Sequence, residues 1–200
     1  MGTITLIDYG AGNTQSVTYA LQRLGIEVSL TSDPDRIRRA GRVIFPGVGQ
    51  AASAMKRLQK NGLDKLIPEL RQPVLGVCLG LQLMCRHTTE GDTPGMGIFD
   101  ADVIHFHEQR GKTDGLKIPH MGWNRVLPKD SLLLQRLPQG SYFYFVHSYF
   151  AEICNDTKGV AEYGIPFSAV MEKDNFFATQ FHPEKSGDVG EQVLKNFLRI

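Results

Sequence analysis

Short apolar runs alternate with amphipathic stretches through the first half of the chain, and this alternation restricts the fold more than any other feature. The apolar runs have the length of strands and fall at residues 3–8, 28–30, 42–45 and 73–77. The stretches between them carry apolar residues at helical spacing. Strands that alternate with helices pair in parallel through right-handed crossovers. The first half therefore predicts an α/β fold with an open, mostly parallel sheet flanked by helices.

The second half changes character, because strand-like runs there follow one another through short turns. These runs fall at residues 100–107, 142–150, 159–164, 166–174 and 175–182, before a final amphipathic helix at 189–198. Consecutive strands joined by short turns pair antiparallel. We therefore expect antiparallel strands to extend the parallel sheet. No repeat, low-complexity tract or linker divides the sequence, so residues 1–200 are predicted to form a single domain.

Charge and composition argue against several classes of protein. The chain has 22 Lys and Arg against 21 Asp and Glu, a net charge of +1, so no overall field directs it to nucleic acid or to an anionic membrane, and only a local basic patch stays open. No apolar run is long enough to span a bilayer, and the N-terminus lacks a secretory signal. Three cysteines do not make a disulfide framework, which favours a reducing cytoplasm. Two of them, Cys85 and Cys154, are interpreted as packed structural thiols.

The third cysteine lies in the stretch VLGVCLGLQLM, residues 74–84, where a strand pattern passes into a helical pattern expected at 79–87. Gly76 and Gly80 flank Cys78 as in a nucleophile elbow, in which small neighbours let the strand and the helix approach each other. A helix N-terminus lowers the pKa of a thiol, and the amide of Leu79 would face an oxyanion formed beside the sulfur. The alternative is a buried structural thiol, which is how most free cysteines are used.

A thiol nucleophile needs a base, and the base needs a group that fixes its tautomer. The stretch ATQFHPEKSG, residues 178–187, offers His182 and Glu184 on either side of Pro183. The proline is expected to keep this segment extended, so that both side chains face the same way and the carboxylate orients the ring. The strand before them would bring His182 to the sheet end at which Cys78 lies. The alternative is a surface turn in which the two residues meet by coincidence.

A glycine-rich turn follows the third strand, in the stretch FPGVGQAA at residues 45–52. Gly47, Val48 and Gly49 leave backbone amides uncovered where a helix begins, an arrangement that binds anions. We interpret this turn as an oxyanion site. A phosphate site is the rival interpretation, although the stretch lacks both the Lys-Ser/Thr pair of a P-loop and a dinucleotide fingerprint.

The remaining histidines give weaker signals. His105 and His107 alternate on a predicted strand beside Glu108, but no third ligand at a known zinc spacing accompanies them, so we interpret a solvated strand face. His87 is expected at the end of a helix, where a cation suits the helix dipole. His147 is expected to pack within an aromatic strand. The sequence predicts no metal and no organic cofactor.

Three of these stretches together resemble the class I glutamine amidotransferases, the triad glutaminases. They are PGVG, GVCLGLQL and QFHPEKS, at residues 46–49, 76–83 and 180–186. Two further stretches, DYGAGN at 8–13 and PHMGWN at 119–124, resemble one family of the class, the glutaminase subunits of imidazole glycerol phosphate synthase in histidine biosynthesis. The likeness covers essentially the whole chain and implies a flavodoxin-like sheet. Some class I relatives carry GGP where this chain has GVG, and GVG is typical of the histidine-pathway subunits.

The resemblance implies a role for each matching residue. Cys78 would attack the carboxamide carbon of L-glutamine to give a thioester and ammonia. His182 would accept the thiol proton, protonate the leaving amine and later activate water, while Glu184 orients the ring. The backbone of Leu79 and of residues 47–49 would bind the oxyanion. The groups expected to hold L-glutamine are Gln82, Ser148 and Tyr149; for Gln82 the alternative is a polar helix residue that faces water.

The resemblance also implies a partner. The glutaminases of this family form a heterodimer with a (β/α)8-barrel cyclase, which receives ammonia through an internal channel and makes imidazole glycerol phosphate and an aminoimidazole carboxamide ribotide. PHMGWN resembles the contact with that barrel, and Trp123 beside Pro119 and His120 suits an interface anchor. The alternative for Trp123 is an ordinary buried aromatic residue. Asn13 and Lys185 are assigned to the same surface.

Hydrolysis of L-glutamine without an acceptor wastes it, so the site is expected to be idle in the isolated subunit. The PGVG turn is flexible enough to hold its amides turned away until the barrel docks with its ligand. Three other interpretations stay open. They are a triad glutaminase or γ-glutamyl hydrolase that feeds another synthase, a cysteine peptidase with a similar turn, and a non-catalytic scaffold. The presence of Cys78, His182 and Glu184 together argues against the scaffold.

Overall fold

The computed structural model describes residues 4–109, 111–113 and 115–200. Within them the strands are β1 (Ile4–Ile7), β2 (Val28–Thr31), β3 (Arg42–Gly47), β4 (Val74–Cys78), β5 (His87–Thr88), β6 (Thr93–Pro94), β7 (Asp102–His105), β8 (His120–Arg125), β9 (Leu127–Pro128), β10 (Tyr142–His147), β11 (Tyr149–Ala151), β12 (Thr157–Tyr163), β13 (Ile165–Lys173) and β14 (Phe176–Thr179). The α-helices are α1 (Thr14–Arg23), α2 (Pro34–Arg38), α3 (Ala51–Lys60), α4 (Leu63–Glu69), α5 (Leu79–Met84) and α6 (Gly187–Phe197). Single turns of 3-10 helix lie at Phe106–Glu108 and Pro183–Lys185.

Eight of these strands form one sheet in the order β2-β1-β3-β4-β14-β13-β12-β9. The strands from β2 to β14 in this order pair in parallel, and those from β14 to β9 pair antiparallel. The fold class predicted from the sequence, an open, mostly parallel sheet extended by antiparallel strands, is therefore confirmed. Two small sheets accompany it, one formed by β10 and β8 and the other in the order β11-β7-β5-β6.

The inner parallel strands β1, β3, β4 and β14 are buried on both faces. Ile7 and Phe45 belong to the apolar cluster on one face, and Leu6 and Ile44 belong to the cluster on the other. All four side chains are inaccessible to solvent. Successive side chains of a strand point to opposite faces, so a strand covered on both sides has a continuous apolar sequence. Within the residues that the structure describes, no helix combines the length and the apolar character needed to cross a membrane.

Several elements differ from the sequence-based prediction, among them two helices and the segment that contains His87. Helix α2, which Asp33 caps, is not predicted because five residues are too few to show a helical period. Helix α5 ends before residue 85, since the backbone of Arg86 bonds to Gly95 and Ala101 instead of continuing the helix. His87 therefore does not end a helix. It lies in β5, with Nε2 2.8 Å from a carboxylate oxygen of Asp92, so the expected dipole role is wrong.

The predicted strand at 142–150 is two strands in different sheets. β10 ends at His147 and β11 begins at Tyr149, so the chain changes sheet at Ser148. Likewise, β7 ends at His105, and His107 lies in the 3-10 turn that follows. Both breaks fall inside continuous strand-like sequence, where no glycine or proline marks them.

The carboxyl ends of three neighbouring strands define one edge of the sheet. In β3 and β4, Gly47 lies opposite Cys78, and in β4 and β14, Val77 lies opposite Thr179. Because these strands are parallel, the segments that follow them leave the sheet at the same edge. Ligand sites of open α/β sheets lie outside such ends.

Candidate active site

The turn at Cys78 has a conformation that its neighbours enforce. Cys78 has φ +55°, a left-handed value that costs free energy for any residue with a side chain. A Cβ on Gly80 would lie 2.2 Å from the carbonyl oxygen of Phe45, and a Cβ on Gly76 would lie 2.7 Å from the sulfur of Met84. Gly80 is therefore required for α5 to pack against β3, and Gly76 lets β4 and α5 lie close together, as the sequence pattern predicts.

His182 and Glu184 form a buried pair. His182 Nδ1 lies 2.8 Å from Glu184 Oε1, and only 2% and 1% of the two side chains are exposed. They are joined by the 3-10 turn Pro183–Lys185 and not by the extended segment that the sequence analysis expects. Ser186 fixes this turn, because its hydroxyl donates to the carbonyl of His182 and accepts from the amide of Tyr144.

The second nitrogen of His182 faces the cysteine. Nε2 is buried and makes no conventional hydrogen bond within the described part of the chain. Burial lowers the pKa of His182, but the nearby sulfur of Cys78 and the carboxylate of Glu184 outweigh it and raise the pKa to about 10. The ring is thus stabilised as a cation between a sulfur and a carboxylate, which is the environment that a base needs when it receives a thiol proton.

The glycine-rich turn after β3 lies beside the cysteine but is packed less tightly. Gly47 packs against Leu79, since a Cβ there would be 2.7 Å from the Leu79 Cβ. The hydroxyl of Tyr9 donates to the carbonyl of Pro46 over 3.0 Å and anchors the start of the turn. Beyond this point Val48 is 40% exposed. Gly49 has φ +97°, and a Cβ built on it would have no atom within 4 Å.

A cavity of about 280 Å³ opens at this edge of the sheet. Its wall contains eight of the residues predicted for catalysis, the oxyanion or L-glutamine, together with Lys185, which is predicted for the interface. The eight are Val48, Gly49, Cys78, Leu79, Gln82, Ser148, Tyr149 and His182. Glu184 lies behind His182, and Gly47 lies behind Leu79. The volume suits a ligand of the size of an amino acid rather than a peptide or a nucleotide.

Gln82 is part of a buried amide network. Its Nε2 donates to the carbonyl of Tyr149 over 2.9 Å and to Oε1 of Gln180 over 3.1 Å. The amide of Gln180 in turn lies 3.7 Å from the sulfur of Cys78. Gln82 is only 5% exposed, so the alternative of a polar helix residue facing water is wrong.

Two polar side chains of the site are not predicted from the sequence. Gln180 is fully buried and connects Gln82 with Cys78. Glu90 lies in the cavity wall, and its Oε2 accepts from the amide of Ala51 at the start of α3 over 2.7 Å. A glutamine directly before the Phe-His-Pro-Glu stretch is visible in the sequence. Nothing local marks Glu90, which the fold brings in from the loop after β5.

The other cysteines and histidines are used in packing and local hydrogen bonds. Cys85 is fully buried, and burial raises the pKa of its thiol. The His105 ring packs against those of His107 and Tyr149, and the carboxylate of Glu108 accepts from the amide of His105. Among residues 4–109, 111–113 and 115–200, no group of three His, Cys, Asp or Glu side chains is arranged to hold a metal ion.

An exposed aromatic surface lies on strands β8 and β10. Trp123 is 56% exposed, which excludes the buried alternative, and its ring lies 6.2 Å from that of Tyr144. Lys185 Nζ lies 5.9 Å from the centre of the Tyr144 ring. Pro119 is exposed as well. Asn13 is half-buried and caps α1 by accepting from the amide of Ser16.

His120 does not belong to this surface, so its assignment to the interface is wrong. It is 3% exposed, and its ring stacks on Tyr163 at 4.1 Å and on Phe145 at 5.0 Å. Alternate residues of a strand face opposite sides. Trp123 and His120 are separated by an odd number of positions on β8, so when one faces outward the other faces the interior.

Comparison with known proteins places the chain in a class. A family model described as "Glutamine amidotransferase class-I" matches residues 5–200. The chain therefore belongs to the class-I glutamine amidotransferase family. The fold agrees with this assignment. It is similar to the solved structure of PurLQS from Thermotoga maritima, with a TM-score of 0.71 at 17% sequence identity. The match covers 100% of this chain and 99% of the PurLQS chain.

Similar proteins of known name identify one group within this family. The imidazole glycerol phosphate synthase subunit HisH of Bacteroides thetaiotaomicron is 50% identical over 197 residues, 98% of this chain and 99% of the relative. The subunit of the same name from Pectobacterium atrosepticum is 46% identical over 199 residues, with the same coverage. Within the class, the chain belongs with these HisH subunits.

Proposed function

We propose that this chain is the glutaminase subunit of imidazole glycerol phosphate synthase and that it hydrolyses L-glutamine to L-glutamate and ammonia. The observation that carries the proposal is the convergence of Cys78, His182 and Glu184 at one end of the sheet. A nucleophile on a strained turn, a base and a group that orients the base are the parts needed for acyl transfer. The cavity in front of the sulfur has the size for one amino acid.

The reaction has two halves that use the same imidazole. The thiol proton of Cys78 passes to Nε2 of His182, which gives a thiolate beside a charged imidazole ring. The thiolate then attacks the carboxamide carbon of L-glutamine. The tetrahedral intermediate collapses, the carbon–nitrogen bond breaks, and His182 gives its proton to the nitrogen, which leaves as ammonia. Water then attacks the thioester while His182 accepts its proton, and L-glutamate leaves as the thiol is restored. Glu184 holds the ring in the required tautomer and stabilises its charge.

The oxyanion of each intermediate needs hydrogen-bond donors beside the sulfur. The amide of Leu79, at the start of α5, and the backbone of Val48 and Gly49 lie in the cavity wall with Cys78. We assign the donors to these three residues. Gly47 serves the site by packing, since any side chain there would collide with Leu79.

The far end of the cavity supplies groups for the amino-acid part of L-glutamine. Gln82 and the backbone of Ser148 and Tyr149 lie in its wall, as does the carboxylate of Glu90. A carboxylate attracts an ammonium group, so we assign Glu90 to the substrate α-amino group. One of its oxygens accepts from Ala51, which fixes the side chain and leaves the other oxygen available.

We further propose that the ammonia passes to a cyclase subunit with a (β/α)8-barrel fold in a heterodimer. Relatives named as synthase subunits support a partner. The exposed surface of Trp123, Pro119 and Lys185 supports its position, because aromatic anchors surrounded by polar groups are typical of interfaces. Asn13 is assigned to the same interface. The free thiols of the chain suit a reducing cytoplasm, where we place the reaction.

A reconstitution experiment tests the proposal. The chain is mixed with a barrel cyclase of a HisH-type synthase and its ribonucleotide, and L-glutamate release is followed with the Cys78→Ala variant as control. We expect release from the wild-type complex only. The variant should still co-elute with the cyclase in gel filtration, which shows that it folds and docks. Release that does not depend on Cys78, or no release by the wild-type complex, would contradict the assignment.

A further inference from the structure

A chain of hydrogen bonds leads from strand β8 to the wall of the cavity. Asn124 Nδ2 lies 3.3 Å from His120 Nε2, and His120 Nδ1 lies 3.0 Å from His147 Nε2. His147 Nδ1 lies 2.7 Å from the carbonyl oxygen of Tyr149. The same oxygen accepts from Nε2 of Gln82 over 2.9 Å. Two buried imidazoles thus connect an interface strand with the group that orients Gln82.

The carbonyl oxygen of Tyr149 fixes which atom donates and which accepts in each of these hydrogen bonds. A carbonyl oxygen only accepts, so Nδ1 of His147 carries the hydrogen. Burial lowers the pKa of His147 to about 3 and that of His120 to about 4, so both rings are neutral and each has one bare nitrogen. Nε2 of His147 must then accept from Nδ1 of His120, and Nε2 of His120 accepts from the amide of Asn124. No other assignment of tautomers satisfies all three contacts.

Neither ring is free to turn away. His120 is held between Tyr163 and Phe145, and His147 is 6% exposed beside Phe167. The bond from His147 to Tyr149 spans the position at which the chain leaves β10 and enters β11. It therefore fixes the backbone of the segment on which the substrate-facing groups of the cavity lie.

We propose that His120 and His147 are positioning residues, which hold the Tyr149 carbonyl in place so that Gln82 and the backbone at 148–149 are preorganised for L-glutamine. The inference rests on the function proposed above and adds residues to which the reaction mechanism gives no role. His120 does not line the cavity and acts through His147. Its strand carries Trp123 on the outer side, so the support of the cavity begins beneath the proposed interface.

The test compares two substitutions at His120 in the complete complex with the cyclase. His120→Phe keeps an aromatic ring for stacking but removes the donor to His147. His120→Asn keeps an N–H near the position of Nδ1. Loss of one buried hydrogen bond should raise the KM for L-glutamine about ten-fold in the Phe variant, with a smaller change in kcat. The Asn variant should stay within about three-fold of wild type.

Chemical labelling of Cys78 separates substrate positioning from damage to the nucleophile. Iodoacetamide should alkylate Cys78 at the same rate in wild type and His120→Phe. An electrophile built on the glutamine skeleton should react about ten-fold more slowly with the variant, because it needs the same positioned groups as the substrate. Equal slowing of both reagents would overturn the proposal, as would equal defects in the Phe and Asn variants or a KM unchanged in both.

A second pair of variants covers the case in which His120→Phe does not fold. His147→Asn keeps a donor toward Tyr149, whereas His147→Phe removes it. The KM for L-glutamine should rise only in the Phe variant, and equal values would overturn the proposal. If the proposed function is wrong, the wild-type complex releases no glutamate. If only the roles of His120 and His147 are wrong, the wild-type complex stays active and the variants do not show the expected differences in KM.

Discussion

Two turns end neighbouring parallel strands at the same edge of the sheet, and they are held very differently. The nucleophile turn, residues 76–80, is enclosed: Cys78 is 7% exposed, and a Cβ on Gly80 would collide with the backbone of Phe45. The oxyanion turn, residues 47–50, is tightly packed only at its start. Its outer part is open, with Val48 40% exposed and no atom within 4 Å of a Cβ on Gly49.

The difference in packing indicates that one turn is rigid and that the other can change conformation. A strained residue such as Cys78 persists only where the surroundings over-determine it, so the nucleophile turn is preformed. The oxyanion turn has a glycine in the left-handed region and free space around it, so its peptide units can reorient without disturbing the core. We therefore expect substitutions in the nucleophile turn to act on chemistry and on stability. Substitutions in the outer oxyanion turn should act on activation.

The largest effect is expected from removal of the nucleophile. Cys78→Ala should lower L-glutamate release by the complex by about 10⁴-fold or more, because the remaining groups cannot form an acyl intermediate. The measurement is glutamate release at saturating L-glutamine, with co-elution of the variant and the cyclase in gel filtration as the control for assembly. Substantial residual hydrolysis would mean that the preformed turn does not carry the chemistry.

The next largest effect is the activation of L-glutamine hydrolysis by the cyclase, which acts through the oxyanion turn. The isolated subunit should hydrolyse L-glutamine slowly, and the cyclase with its ligand should raise the rate about 10²–10³-fold, the value of a completed oxyanion site. Glutamate release is measured for the subunit alone, with the cyclase, and with the cyclase and ribonucleotide. Equal turnover in all three would mean that the oxyanion turn is as preformed as the nucleophile turn.

The enclosed turn should be sensitive to a single methyl group. Gly80→Ala places a Cβ 2.2 Å from a backbone oxygen that cannot move freely, so the free energy of unfolding should fall by about 3 kcal/mol. Gly76→Ala meets the flexible sulfur of Met84 at 2.7 Å and backbone atoms only at 3.1 Å, so it should cost about 1 kcal/mol, which makes it the matched control. Urea unfolding of both variants measures the difference. Similar costs at the two positions would contradict the enclosed packing.

The contrast between the two turns also explains which parts of this site can be predicted from the sequence. The nucleophile turn is predictable because its constraints are local: the glycines that permit the packing lie two positions from Cys78. The pair of His182 and Glu184 is equally local, although the 3-10 turn that joins them differs from the extended segment expected. The parallel sheet is predictable because burial on both faces leaves continuous apolar runs.

The remaining parts of the site depend on contacts between distant segments. Gln180 meets Gln82 across 98 positions, and His147 meets His120 across 27. Neither hydrophobic periodicity nor a turn motif in the sequence predicts contacts between residues so far apart. The assignment of His120 to the interface fails for this reason, since a short motif does not say which of its residues face outward. Strand alternation settles that question only when the register is known.

The smallest effect separates stability from activation within the open turn. Gly49→Ala forces a side chain into a left-handed conformation, which should cost about 1 kcal/mol of the free energy of unfolding but leaves room for the methyl group. Gly62→Ala has the same kind of strain and equally open space, remote from the site, and should cost a similar amount. Only Gly49→Ala should also change activation by the cyclase, because only that peptide unit borders the cavity. Equal activation in the two variants would show that reorientation at Gly49 is not needed, and the open packing of the oxyanion turn would then have no part in catalysis.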